Sequence, residues 1–145
     1  MIVVVQRVKH CSVVVNTQCI AHIDAGVMAL VCAELADEKN APVPLADTLV
    51  KLRILDDNGK MNKSLLDTPT HNLLLIPQFT LAADCRKGNR PSFTQAAPPE
   101  VGRLIFERFH QRCQALLQRD VAIGEFGAEM DVSLCNHGPA TFILR

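Results

Sequence analysis

Tryptophan and tyrosine are both absent, so six phenylalanines supply all the aromatic surface in 145 residues. Any stacking on a ring-shaped ligand must fall to those six. The six cysteines, at 11, 19, 32, 85, 113 and 135, contain no C-x-x-C pair, which excludes a dithiol redox motif and the usual zinc ribbons. They read as reduced thiols of a cytoplasmic protein. Long apolar runs are missing too: Met28 to Ala33 and Leu73 to Pro77 fall far short of the ~20 residues that cross a membrane. Ile2 to Val5 is too short for a signal-peptide core, so none is expected. Charge of either sign is not in excess, since Lys and Arg number 15 and Asp and Glu 15. A general nucleic-acid coat is thereby disfavoured, although a local contact with one end of an RNA is permitted.

Familiar catalytic and nucleotide-binding patterns are absent as well. Gly88, Gly124 and Gly127 form neither G-x-G-x-x-G nor a Walker loop, and no G-x-S-x-G elbow accompanies the five histidines. His10, Cys11, Cys19 and His22 lie close in sequence, but Cys19 and His22 are three apart on an expected strand and point to opposite faces. No metal and no cofactor is expected.

What remains is rich in apolar residues, at 48% of the chain, and spare apolar surface suggests a homodimer. Length predicts one domain over 1–145. Strands are expected at Ile2 to Val5, Val13 to Val15, Cys19 to Ile23 and Val27 to Cys32, an antiparallel start. Pro42 and Pro44 precede a helix whose Leu45, Leu49, Leu52 and Leu55 are spaced for one face. A strand from Asn72 to Leu81 follows the Asp56-Asp57-Asn58-Gly59 turn. Pro98-Pro99-Glu100 starts a second helix with a stripe of Val101, Leu104, Ile105, Phe109, Cys113 and Leu116. Strands Val121 to Ile123, Met130 to Cys135 and Thr141 to Leu144 close the chain. The fold class is α/β, one mixed sheet system covered by two helices.

Four features invite a functional reading. Asn136-His137-Gly138-Pro139-Ala140-Thr141 interrupts two apolar runs with a tight backbone corner, most simply a hairpin connection held by Asn136. Pro77-Gln78-Phe79-Thr80-Leu81 ends another strand. Arg86, Lys87 and Arg90 gather on one loop, a solvated surface in most proteins and a phosphate contact in some. Phe126 and Met130 are four apart and could sandwich a base or simply fill core.

These blocks, with Met1 to Val8, Ser12-Val13, Gly59 to Asn62, Arg90-Pro91-Ser92-Phe93 and Phe126-Gly127-Ala128, resemble in order and from end to end the D-aminoacyl-tRNA deacylases. The resemblance implies a homodimer of three-layer α/β/β subunits with mixed, largely antiparallel sheets. Its substrate would be the ester joining a D-amino acid or glycine to the terminal adenosine of tRNA, so the implied partner is the aminoacyl-tRNA 3′ end, with neither DNA nor membrane. It implies a cis Gly138-Pro139 that enters the partner subunit's site and rejects L side chains through backbone carbonyls, with Arg7 orienting it. Gln78, Phe79 and Thr80 would form the pocket floor, and Phe126 and Met130 would surround the adenine. Pro77 departs from the family's usual Ser. An animal branch that removes L-alanine from mischarged tRNA also has Pro there, but pairs it with Ala where this chain has Phe79.

An aminoacyl ester is already activated, so positioned water and a stabilised oxyanion can suffice. The N–H groups of Phe79 and Thr80 are the expected oxyanion donors, since Pro77 has none. Thr80 has no visible base to make it a nucleophile, and the resemblance favours assistance from the ribose 2′-OH. A non-catalytic tRNA-end-binding dimer and a purely structural dimer are the rival readings.

Overall fold

The computed structural model describes residues 1–86 and 88–145. Its first strand, β1 (Ile2–Val15), runs unbroken through His10-Cys11-Ser12, where two strands were expected. Cys11 and Ser12 pair with β2 (Gln18–Ile23) on one side and with the last strand on the other, so the strand continues through the polar interruption, with a register shift between Val8 and Cys11. β3 (Gly26–Cys32) pairs antiparallel with the N-terminal half of β1. Helix α1 (Pro42–Lys51) has proline in its first turn, where the missing N–H is harmless. It buries Pro42, Ala46, Leu49 and Val50 and stops before the expected Leu52 and Leu55. Leu52 is already extended, and Leu55 is buried on β4 (Leu55–Asp57), which forms a two-stranded ribbon with β5 (Lys60–Lys63) around Asn58-Gly59.

β6 (Asn72–Pro77) runs parallel to β3. It ends four residues earlier than expected, because β3 offers no further pairing and a 3₁₀ turn, Phe79–Ala82, takes over. Helix α2 (Pro99–Leu117) buries Gly102, Ile105, Phe106, Phe109, Cys113 and Leu117. These follow helical spacing, whereas Val101 and Leu104 of the expected stripe fall off that face and are exposed. An Arg112–Asp47 fork, with bonds of 2.7 and 3.0 Å, ties α2 to α1. β7 (Ala122–Ile123) adds a parallel edge to β6, and β8 (Asp131–Leu144) lies antiparallel along β1.

Alternation along the strands builds two apolar layers. Val27, Ala29 and Val31 of β3 and Leu73 and Leu75 of β6 pack with Leu49, Phe106 and Phe109 of the helices. Met28, Leu74 and Ile76 turn the other way, onto Val8, Cys11 and Val13 of β1 and Ile23 of β2. The result is the expected α/β architecture: one six-stranded mixed sheet, in the order β2-β1-β3-β6-β7 with β8 paired to β1, packed on one side against the two helices.

Candidate active site

A cavity of about 730 Å³ opens where β6 ends, beside the 3₁₀ turn and the start of α2. Pro77, Gln78 and Phe79 form one wall, and Phe126 and Met130 another, so two sequence blocks expected to meet do meet. Among the described residues that line it, none carries a formal charge. The cavity therefore holds no carboxylate or imidazole of its own to act as general base.

The wall is set by backbone. Gln78 N–H donates to Val31 O at 2.9 Å, which anchors the end of β6 to β3. The first bond inside the turn runs from Leu81 N–H to Gln78 O at 3.3 Å, leaving the Phe79 and Thr80 N–H groups ahead of it without an acceptor in the turn. Phe79 is 57% exposed, its ring edge-on to Phe93 with centroids 5.0 Å apart. Thr80 does not line the cavity. Its hydroxyl accepts a hydrogen bond from the Gln78 side-chain amide, and among the described residues no imidazole or carboxylate reaches it. That arrangement positions a side chain but does not activate a nucleophile.

Cys32, which sequence reasoning placed only in the core, lies under this turn. Its Sγ is 3.6 Å from Phe79 O and 3.4 Å from Ala33 O. Burial pushes its pKa up to about 11, so at neutral pH it is a thiol donor and not a thiolate. Nothing in the local sequence marks it, because the contact depends on the parallel β3–β6 register.

The Gly138-Pro139 corner stands apart from the cavity on this chain. It is no hairpin connection. Gln6 pairs with Thr141 and Val8 with Asn136, so four residues of β8, 137 to 140, bulge out opposite the single Arg7. Asn136 spans the bulge: its Oδ1 accepts from Ala140 N–H at 3.0 Å and its Nδ2 donates to Thr141 Oγ1 at 2.9 Å. Arg7 donates from Nε to His137 O and from Nη1 to Ile54 O, each at 3.0 Å. Gly138 has φ +134°, and a Cβ there would stand 2.9 Å from Arg7 Nη2 and 3.0 Å from Ala140 N. Glycine is required on both counts. The Gly138-Pro139 peptide is cis, and His137, Gly138 and Pro139 are exposed.

The basic loop is less basic than its sequence. Arg86 forks onto Asp84 with bonds of 2.9 and 2.8 Å, and this partner holds the Asp84 carboxyl well below the usual carboxylate range. Lys87 lies outside the described residues. Arg90 is exposed and, among the described residues, forms no ion pair. Neither Arg86 nor Arg90 lines the cavity.

Fold and site together define a class: an α/β protein with an uncharged, phenylalanine-lined cavity beside a turn whose first two N–H groups have no acceptor, and with no triad and no converging metal ligands, among the described residues. A family model described as D-Tyr-tRNA(Tyr) deacylase matches residues 4–145, and the chain belongs to this family of D-aminoacyl-tRNA deacylases. It is 51% identical to a D-aminoacyl-tRNA deacylase of Janthinobacterium sp. (strain Marseille), covering 100% of this chain and 97% of that protein. A D-aminoacyl-tRNA deacylase of Francisella tularensis subsp. tularensis is 46% identical, with coverage of 100% and 99%. A solved structure called c-Myc DNA Unwinding Element Binding Protein superposes with a TM-score of 0.91 at 32% identity, over 100% of this chain and 98% of that one.

Proposed function

We propose that this protein is a chiral-proofreading hydrolase that cleaves the ester between a D-amino acid, or glycine, and the terminal adenosine of tRNA. The observation that carries the reading is the pair of unpartnered N–H groups, Phe79 and Thr80, at the head of a turn beside an uncharged cavity. Two preorganised N–H donors can take the developing oxyanion. With no charged group in the lining, the proton traffic falls to water and to the substrate's own ribose 2′-OH. Phe126 and Met130, which line the same cavity, are apolar partners for the adenine.

The active unit in this reading is a homodimer. The Gly138-Pro139 corner is exposed and does not reach the cavity of its own chain, so it serves the partner's. Among the described residues the 14-residue β8 pairs only with β1, and it exposes Val132 and Ile143, features that favour burial against a second copy. A corner of backbone carbonyls excludes an L side chain at Cα whatever its size, and passes D side chains and glycine.

The test is deacylation of matched D-, L- and glycyl-tRNAs by the purified protein, with D- and glycyl-tRNAs cleaved and L-aminoacyl-tRNAs spared. Pro77 in the cavity wall favours one alternative, the removal of L-alanine. Efficient cleavage of L-alanyl-tRNA with D-substrates spared would establish that alternative and refute the proposal.

A further inference from the structure

We infer that Arg103 is the residue that binds the phosphate on the 5′ side of the terminal adenosine, working from the ring of Phe126 at the mouth of the cavity. The inference rests on the proposed function, which seats that adenosine against Phe126. Gly102 and Phe126 both line the cavity as neighbours, close enough that a Cβ added to Gly102 would lie 3.4 Å from Phe126 Cζ. The next residue along α2, Arg103, is exposed, and its guanidinium carbon stands 4.9 Å from the Phe126 ring centroid.

This placement is a choice among partners. Glu100 and Glu107 lie three residues before and four after Arg103 on α2, spacings at which ion pairs form on a helix. Glu125 adjoins Phe126 in the chain. Among the described residues Arg103 pairs with none of the three. Its cation lies over the aromatic ring instead, which orients the planar group and leaves N–H donors for a ligand. A guanidinium fork matches phosphate oxygens in pairs.

The ligand chemistry follows from the cavity. Its lining is uncharged, so it suits a base and an ester but offers nothing to a phosphodiester. A nucleoside whose base meets Phe126 carries its 5′-phosphate one sugar away, at the rim, where Arg103 supplies the missing cation. The basic loop is a poorer source, since the Arg86 fork is occupied by Asp84.

Two substrates separate binding of phosphate from support of Phe126: D-aminoacyl-tRNA, and 2′(3′)-O-D-aminoacyl-adenosine, which has no phosphate. For Arg103→Ala the KM for the tRNA substrate should rise about tenfold with kcat held, the loss of one charge-assisted contact. The salt slope of tRNA binding should fall by about 0.7, the value for one phosphate of a single strand. Arg103→Lys should restore the slope without the full affinity. With aminoacyl-adenosine the Arg103→Ala defect should shrink to less than about twofold. Equal losses on both substrates would show that Arg103 only braces Phe126, and no loss on tRNA would dispose of any role. Binding of adenosine 5′-monophosphate against adenosine tests the contact without catalysis: a preference for the nucleotide that Arg103→Ala abolishes supports it, and no preference overturns it. That arm remains decisive even if the wild type cleaves neither ester and the parent reading fails.

Discussion

Arg7→Ala removes the side chain that ties the β8 bulge to the rest of the molecule, so its effects can be worked out in advance. Two bonds are lost, Nε to His137 O and Nη1 to Ile54 O, each 3.0 Å long in the native protein. A hydrogen bond from a charged donor contributes about 1.5–3 kcal/mol. Arg7 is only half-buried and its bond to His137 O is exposed, whereas that to Ile54 O is part-buried, so the net cost to stability should be about 1–3 kcal/mol. The corner itself should suffer more than the fold. Asn136 still spans the bulge through Ala140 N and Thr141 Oγ1, but nothing holds the His137 carbonyl in direction. A displacement of about 1 Å at a reacting centre can reduce turnover about 10²-fold. Urea unfolding gives the first number, and single-turnover deacylation of matched D- and L-aminoacyl-tRNAs gives the second. D-substrate cleavage should fall by one to two orders of magnitude, about 10- to 100-fold, without a matching gain on L-substrates. A variant that keeps full activity on D-substrates while acquiring L-cleavage would refute the reasoning, for the corner would then exclude L side chains without closing the site.

Three further outcomes follow from the same geometry. Thr80→Ala should retain activity within a few-fold in single-turnover assays, because among the described residues its hydroxyl meets only the Gln78 amide; a loss approaching ~10⁶-fold, as for a true serine nucleophile, would sink the backbone mechanism. Arg90→Ala should lower the salt slope of tRNA binding by about 0.7–1 and leave the D-to-L ratio unchanged; a changed ratio with an unchanged slope would contradict the loop's role. Toward a thiol reagent the exposed Cys19 and Cys85 should react in the folded protein, whereas Cys11, Cys32 and Cys113, buried with pKa values pushed up to about 11, 11 and 12, should wait for denaturant; rapid labelling of the last three would mean that the core opens.

The layers were legible in the sequence because β3 and β6 are apolar on both faces and α2 carries a helical stripe. Boundaries failed where local pattern and tertiary pairing disagree. His10 to Ser12 looks like a break, yet β2 and β8 flank that part of β1 and keep it extended. Leu52 and Leu55 continue the leucine spacing of α1 past its end, and Leu55 is buried on a ribbon instead. Of the residues that motif order proposes for the site, Gln78, Phe79, Phe126 and Met130 line one cavity, whereas Thr80, Arg86 and Arg90 do not. Cys32 and Arg103 were missed because each owes its place to a partner far along the chain, Phe79 for one and Phe126 for the other. In the basic loop the Arg86 side chain is forked onto Asp84, a pairing that the run of basic residues does not reveal.

A common cause lies behind both the success and the misses: the chemistry proposed for this site belongs to the backbone, and the side chains that matter serve to hold it. Pro77 shows this most clearly. It offers the wall neither an N–H nor a hydroxyl, so in the proposed mechanism donation falls to Phe79 and Thr80 downstream. The wall is closely packed: a Cβ at Gly124 would lie 3.5 Å from Pro77 Cδ and 2.9 Å from Met130 Sδ, so glycine gives the Met130 side chain room beside the end of β6. Proline also fixes φ one residue before Gln78, whose N–H is bound to Val31 O. The two N–H groups after it thus inherit a direction from β3 rather than from any side chain at the site. Arg7 and Asn136 do the same for the corner. A site built this way discriminates by where main-chain atoms stand. It can therefore accept many amino acids and still refuse one hand.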